Sequence, residues 1–374
     1  MNKKDELELT ILMPCLNEEA TLETCIKKAK KSIEENKIKG EVLIADNGST
    51  DNSIEIAKKN GARVINVPVK GYGSALIEGT KQAYGKYVIM GDADDSYDFS
   101  NIMPYVEKLR EGYDLVMGNR YKGGIDKDAM PWSHKYIGTP VISFLGRLFY
   151  KSKIGDFNCG MRGFNREAIL NLDLRCTGME YASEMIVQAN LNNLKIAEIP
   201  TTLKKDGRTR PPHLRTFSDG WRHLKFLLTY SPKWLFLYPG LIIILIAIIG
   251  FIVAFVNDGN MTIGLLPEIL CGGLIVLGLQ MLFFFYIAKT YAINSGMNPK
   301  NDKFDKIKKI ITMEKGIVLG FIIGIIGIII SIYSIINRDE TLNMAILGIY
   351  GIIIGIQLVF SSFLLGIINI KSKK

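Results

Sequence analysis

Gly91-Asp92-Ala93-Asp94-Asp95-Ser96 follows the apolar run Tyr87-Val88-Ile89-Met90. The run reads as a buried strand that delivers carboxylates at its end. Asp92 and Asp94 are two apart, so on extended backbone they point the same way. Carboxylates gathered in one place repel unless a cation stands between them. Hard oxygen ligands suit Mg²⁺ or Mn²⁺, which keep water and share their shell with substrate phosphates. A D-x-D pair alone is more often a solvated acidic turn, so the surrounding residues must decide. Other chemistries find less support. The three histidines, His134, His213 and His223, lie in basic stretches with no Ser–His–Asp relay. The five cysteines lack C-x-x-C spacing, which argues against zinc and a disulfide framework.

The elements that position the acidic stretch follow from local pattern. Strands are expected at Leu9–Met13, closed by Pro14, and at Val42–Ala45, Arg63–Val67, Tyr87–Met90 and Asp114–Met117. Helices are expected between them, the first capped by Asn17 and running to about Asn36. Strand–helix alternation with short links predicts an α/β fold with a doubly wound, mostly parallel sheet. Ligands of such sheets bind beyond the carboxyl ends of the strands, where Asp46 and Asp92 sit. Gly71-Tyr72-Gly73 lacks G-x-G-x-x-G spacing, which rules out a dinucleotide site; it is either a turn or a loop near a substrate phosphate.

Beyond Trp234 the composition changes. Trp234–Val256, Ile269–Ala288, Gly316–Ile336 and Met344–Ile370 are apolar runs almost free of charge. Each reaches the roughly 20 residues that cross a bilayer core. A soluble region over 1–233 and an all-α region of four membrane spans over 234–374 are therefore expected. The Lys289–Lys315 link carries seven lysines, whereas the Asn257–Met261 link has none. This asymmetry places both termini, the lysine-rich link and the soluble region in the cytoplasm. Two stretches, about 140–150 and 214–228, space apolar residues three and four apart with basic flanks. Val141, Phe144, Leu145, Leu148 and Phe149 mark the first, and Leu214, Phe217, Trp221, Leu224 and Leu228 the second. They read as amphipathic helices lying on the lipid bilayer surface, or as core helices. The formal net charge of +9 suits a membrane surface and anionic substrates. No nucleic-acid platform is visible. The charged N-terminal stretch has no apolar core of a signal peptide.

Together these pieces resemble glycosyltransferase family 2 enzymes of GT-A fold, and among them the polyprenyl-phosphate (dolichol-phosphate) mannose and glucose synthases with membrane helices. The resemblance rests on MPCLNEE at 13–19, DNGSTD at 46–51, GDADDSYD at 91–98, GNRYKGG at 118–124 and GDFNCGMRGF at 155–164. GMEYASEM at 178–185 and DGRTRPPHLR at 206–215 complete the ordered set.

The resemblance implies an inverting transfer of a hexose from GDP-mannose, or alternatively UDP-glucose, to polyprenyl or dolichyl phosphate in a prokaryotic plasma membrane. It implies that Mg²⁺ or Mn²⁺ is held by Asp94 with Asp92, and that Ser96 stands where some relatives have a Gln ligand. Pro14, Leu16, Glu18, Asp46, Asn47 and Ala93 match the donor site. Asn47 replaces an Asp there, which changes its hydrogen-bonding character. Arg208 and Arg210 match a mobile clamp on the donor diphosphate. Arg120, Lys135, Thr139 and Arg162 match positions that receive the acceptor phosphate. Asp156 orients the acceptor or acts as base, with orientation favoured. Glu184 is a positioning group. Two rival functions differ in class. A processive polysaccharide synthase would carry Q-x-x-R-W, which is absent. A non-catalytic membrane module would have lost the acidic cluster. The spans either anchor the enzyme or pair in a homo-oligomer.

Overall fold

A computed structural model describes residues 7–208, 216–257, 266–337 and 342–370. The chain divides into two compact units, Met1–Leu227 and Leu228–Lys374.

In the first unit the strands are β1 (Leu9–Cys15), β2 (Gly40–Asp46), β3 (Arg63–Asn66), β4 (Tyr87–Met90), β5 (Leu115–Asn119), β6 (Arg162–Asn165) and β7 (Ile196–Pro200). The helices are α1 (Leu22–Glu35), α2 (Ser53–Lys59), α3 (Tyr72–Gln82), α4 (Met103–Arg110), α5 (Arg120–Gly123), α6 (Thr139–Tyr150), α7 (Arg166–Leu170), α8 (Tyr181–Leu191) and α9 (Thr216–Thr229). The sheet order is β3-β2-β1-β4-β6-β5-β7. β1 pairs in parallel with β2 and β4, while β6 runs antiparallel to both β4 and β5. The α/β, mostly parallel sheet is as expected. The strand order reverses direction between β1 and β4, which opens a crevice at their carboxyl ends. Cys15 pairs with Asp46 across β1 and β2, so the base of that crevice holds Asp46 beside the β1 terminus.

Local differences have physical reasons. β1 continues through Pro14, opposite Ala45, because a proline's fixed φ is compatible with extended backbone. Asn17 does not cap α1. It adopts φ 58 and accepts from Thr50 N at 2.7 Å, knitting its loop to the one after β2. α1 begins only at Leu22. β6 and β7 carry no clear alternation, and their pairing depends on neighbours distant in sequence. Leu9, Ile11, Met13, Ile44, Ile89 and Val116 form the sheet's share of the core.

α6 buries Ile142, Ser143 and Gly146, while Val141, Phe144 and Leu148 stay exposed. Gly146 is required there, since a Cβ would lie 2.4 Å from the Phe157 ring. In α9 the inward residues are His223, Phe226 and Leu227, not the Trp221–Leu224–Leu228 stripe expected from spacing. Tyr150 donates to Leu227 O at 2.6 Å, and His223 Nδ1 meets Ser183 Oγ at 2.8 Å. Trp221, Arg222 and Lys225 face outward. Leu214 lies outside the described residues.

The second unit contains α10 (Tyr238–Asn257), α11 (Leu266–Asn294), α12 (Asp302–Ile310), α13 (Met313–Ile336) and α14 (Leu342–Asn369). Four helical stretches, Lys233–Val253, Leu266–Asn294, Met313–Ile336 and Met344–Asn369, are long and apolar enough to cross a membrane. α13 and α14 approach through glycine: a Cβ on Gly327 would lie 2.7 Å from Gly348 O, and one on Gly320 2.8 Å from Gly355 O. Small residues let helix backbones meet where lipid provides no hydrophobic drive. α12, between the second and third spans, was not anticipated as a separate helix.

Candidate active site

The acidic stretch leaves β4 at Gly91, where a Cβ would lie 2.8 Å from the Phe99 ring. Asp94 is buried, and its Oδ1 accepts from Ser96 N at 3.1 Å and Ser96 Oγ at 2.6 Å. Ser96 thus orients Asp94 as a hydrogen-bond donor. Asp95 adopts φ 62, a left-handed conformation that Asp tolerates, and pairs with Lys28 of α1 at 2.6 Å. Thr21 donates to Ala93 O at 2.7 Å, fixing Ala93 through its carbonyl. Asp92 is half-buried. Burial and the neighbouring Asp94 carboxylate push it up to about 6, although Arg208 and the hydrogen-bonded Tyr72 hydroxyl oppose the rise. Gly160 makes room for it, since a Cβ there would lie 2.8 Å from Asp92 Oδ2.

Arg208 closes this side of the crevice. Lys204 N donates to Ser96 O at 2.9 Å and Gly207 N to Asp94 O at 3.0 Å, so the segment after β7 runs along the acidic turn. Arg208 Nη2 then lies 2.9 Å from Glu18 Oε1, and Nη1 3.0 Å from Asp94 Oδ2. Burial alone would favour neutral arginine. The bond to Glu18 and the charge of Asp94 overcome it and hold the group charged above its usual range. Three expected residues, Glu18, Asp94 and Arg208, therefore meet as one cluster. Arg210 lies outside the described residues.

A divalent cation fits this donor set. Asp94 already faces one cation, the guanidinium, and Asp92 bears the upward shift of a carboxylate with an anionic neighbour. Among the described residues no group of three His, Cys, Asp or Glu side chains forms a metal cage. Two neighbouring carboxylates match Mg²⁺ or Mn²⁺, whose remaining ligands are water and phosphate oxygens.

On the other side of the crevice β1 and β2 end next to each other. Pro14 and Leu16 are half-buried at the end of β1. Asp46 is buried and accepts from Gly48 N at 3.0 Å and Ser49 N at 3.2 Å, an Asx turn that shapes the loop. Asn47 donates to Val67 O at 3.0 Å and Val69 O at 2.8 Å and accepts from Gly71 N at 2.7 Å. Both its amide hydrogens are spent on the 67–71 loop, which corrects the expectation that its side chain faces the donor. An Asp could not make those two donations. The Gly71-Tyr72-Gly73 stretch is neither an open turn nor a phosphate cradle. A Cβ at Gly71 would lie 2.2 Å from Thr177 O, and one at Gly73 2.1 Å from Cys176 O. This close approach brings Tyr72 to Asp92, a contact not foreseen from the sequence.

At the end of β5 Arg120 and Asp156 form a buried bidentate pair. Arg120 Nε lies 2.7 Å from Asp156 Oδ2 and Nη2 2.8 Å from Oδ1. Asp156 is fully buried and also accepts from Arg120 N and Asn158 N, each at 3.2 Å. A carboxylate held this way orients the Arg120 guanidinium. Arg120 keeps Nη1 for another partner. Thr139 is buried at the start of α6. Tyr121 donates to Lys135 O at 2.8 Å. Lys135 lies in a π-helical turn, His134–Gly138, and its Nζ sits 5.8 Å from the Tyr136 ring centroid. Arg162 is elsewhere. It is fully buried and donates to Phe157 O at 3.1 Å, Cys159 O at 2.9 Å and Ala182 O at 2.6 Å. Its expected contact with an acceptor phosphate is thereby corrected, since its donors are committed to the core backbone.

Two carboxylates set these loops. Glu198 Oε1 accepts from Gly155 N at 2.6 Å and Asp156 N at 3.2 Å, while Oε2 pairs with Lys122 at 2.8 Å. The signal for Glu198 was an acid inside an otherwise apolar strand, Ile196-Ala197-Glu198-Ile199. Glu184 accepts from Arg175 N at 3.0 Å and Cys176 N at 2.8 Å, which fixes the loop that receives Gly71 and Gly73.

A doubly wound sheet with a carboxylate cluster at its switch point is followed by four apolar helices, and the comparisons give the class. Residues 10–172 match the family model "Glycosyl transferase family 2", and residues 286–369 match "Glycosyltransferase family 2 C-terminal transmembrane region". The chain belongs to glycosyltransferase family 2 and is an integral membrane glycosyltransferase. It is similar to the low-salt glycan biosynthesis hexosyltransferase Agl6 of Haloferax volcanii, at 34% identity over 96% of this chain and 88% of that protein. Glycosyltransferase AglJ of the same organism is 30% identical over 51% of this chain and 61% of its own length. Among solved structures, one described as a mycobacterial protein aligns with TM-score 0.50 and 20% identity, covering 60% of this chain and 75% of that one, and shares the fold.

Proposed function

We propose that this enzyme is an inverting hexosyltransferase that moves a hexose from a nucleoside-diphosphate sugar to a lipid-borne phosphate. Polyprenyl or dolichyl phosphate is the acceptor class. GDP-mannose is the donor favoured by resemblance, and UDP-glucose is the alternative. The similarity to Agl6, named a hexosyltransferase, supports the hexose. The observation that carries the reading is the union of Glu18, Asp94 and Arg208 beside Asp92, with Arg120 held by Asp156 at the neighbouring edge of the sheet.

In this reading Asp92 and Asp94 hold Mg²⁺ or Mn²⁺, which when bound neutralises charge on the diphosphate leaving group. Arg208 supplies a second cation to the diphosphate, exchanging its carboxylate partners for phosphate oxygens. Pro14, Leu16 and Asp46 line the nucleoside. Arg120 offers Nη1, and Lys135 a point charge, to the acceptor phosphate. A phosphate monoester is already mostly dianionic near pH 7, so the site needs no base to remove a proton. Orientation of one anion against another is the main task.

The exposed side chains around the acceptor edge favour a lipid. Trp132, Tyr136, Ile137, Val141, Phe144 and Leu148 are 68, 59, 51, 48, 55 and 41% exposed along 132–148. Such a face with Lys135 and Arg147 beside it suits the bilayer boundary. Lysine placement supports a cytoplasmic location for that boundary. The test uses membranes holding the full chain, labelled GDP-mannose or UDP-glucose, polyprenyl phosphate and Mg²⁺ or Mn²⁺. A chloroform-soluble labelled product is expected. Its absence with every donor, or full activity in Asp94→Ala, overturns the reading.

A further inference from the structure

One end of the transmembrane unit gathers lysines that, among the described residues, form no salt bridge. α11 carries Lys289 five residues before its end at Asn294, and the π-helical turn Lys233–Leu237 packs beside it through Phe236 and Phe284, whose ring centroids are 5.7 Å apart. Lys233 stands three residues before Phe236 and Lys289 five after Phe284, so the packed rings bring both lysines to the same end of the two helices. With the Asn298 amide turned so that its oxygen faces Lys289, Lys289 donates to it at 3.0 Å. α12 lies at the same end. Phe304 packs 5.5 Å from the Tyr286 ring and 6.5 Å from the Phe285 ring, Tyr286 donates to Ile311 O at 2.9 Å, and Lys308 donates to Asn294 Oδ1 at 3.3 Å. Asn294 also reaches Ile368 O at 3.3 Å, so the end of α14 belongs to this face.

α12 is amphipathic, and its apolar side is only half covered. Phe304 is buried, but Ile307, Ile310 and Ile311 remain 43, 67 and 47% exposed. Lys303, Lys306 and Lys309 are exposed on the same short helix. Residues 300–315 hold six lysines against Asp302, Asp305 and Glu314, a net +3. Among the described residues none of these lysines, nor Lys233 or Lys289, makes a salt bridge. Repelling cations at the end of apolar spans, beside exposed isoleucines, need an anion that arrives attached to hydrocarbon.

We propose that this basic end is a binding site for anionic phospholipid. Lys233 and Lys289 flank one lipid phosphate, and α12 lies in the boundary with its isoleucines among acyl chains and its lysines on phosphodiesters. This inference concerns the transmembrane unit and does not rest on the transferase reading.

The test needs no turnover. The full chain is reconstituted in vesicles of phosphatidylcholine with phosphatidylglycerol, extracted in mild detergent, and its retained lipids are counted by native mass spectrometry. Wild type should keep phosphatidylglycerol over phosphatidylcholine. Joint Lys233→Ala and Lys289→Ala should reduce that preference about thirtyfold, at about 1 kcal/mol per lysine. Joint Lys233→Arg and Lys289→Arg should preserve it, which separates charge from folding. A fluorophore on Ile310→Cys should report an apolar environment quenched by shallow spin-labelled lipid. Equal retention of the two lipids, an unchanged preference in the alanine pair, or a fully aqueous fluorophore overturns the proposal. Retention of added polyprenyl phosphate without phosphatidylglycerol also overturns it.

Discussion

Arg208 Nη1 lies 3.0 Å from Asp94 Oδ2, so the carboxylate expected to hold a metal already has an internal cation. Any divalent ion must compete with that guanidinium until a diphosphate draws it away. Arg208→Ala should therefore tighten Mn²⁺ binding in the absence of nucleotide, by about tenfold or more, since one charge-assisted bond is worth about 1.5–3 kcal/mol. The same variant should weaken binding of nucleoside diphosphate in the presence of Mn²⁺. Electron paramagnetic resonance of free Mn²⁺ measures both. Weaker Mn²⁺ binding in the nucleotide-free variant would show that Arg208 supports the metal site and does not compete for it.

The Arg120–Asp156 pair predicts a stability defect where a catalytic base would give only a rate defect. Removing one member of a buried pair leaves the other charge uncompensated, at about 3–5 kcal/mol. Asp156→Asn should lower the melting temperature in detergent and reduce acceptor affinity together. Glu198→Gln, which keeps an oxygen for Gly155 N and Asp156 N, should be far milder than Glu198→Ala. Thermal unfolding followed by tryptophan fluorescence decides the matter; an Asp156→Asn protein of normal stability with lost turnover would restore the base.

Asp92 gives a pH dependence with a defined sign. Its folded value, pushed up to about 6, exceeds the unfolded carboxylate value of about 3.9. Its ionisation therefore opposes folding. The penalty is absent below about pH 4, grows as pH rises, and is complete above about 6. Without metal, Asp92→Asn should be more stable than wild type at pH 7.5, by about 1–3 kcal/mol, and the difference should vanish near pH 4. Saturating Mn²⁺ with nucleoside diphosphate should reverse the order at pH 7.5. Melting curves across pH measure it, and a stability gap that does not change with pH would contradict the assignment.

Much of this could be read before any tertiary contact was known. The apolar strands Leu9–Met13 and Tyr87–Met90, the turn residues after them and the four apolar runs carry their information locally, through period, composition and charge. Those features determined an α/β sheet with carboxylates at strand ends and a helical membrane region. Which side chains face the crevice was decided by contacts far apart in sequence. Asn47 turns to the 67–71 loop because three backbone partners wait there. Arg162, charged and next to the acceptor loop, is drawn inside because Phe157, Cys159 and Ala182 offer carbonyls. His223, Phe226 and Leu227, not the expected stripe, became the inner face of α9 because Ser183 and Tyr150 stand opposite. Residue spacing reports a backbone's own period, but a side chain's partner is set by where the chain returns, and only the folded structure brings Arg208 across 190 residues to Glu18.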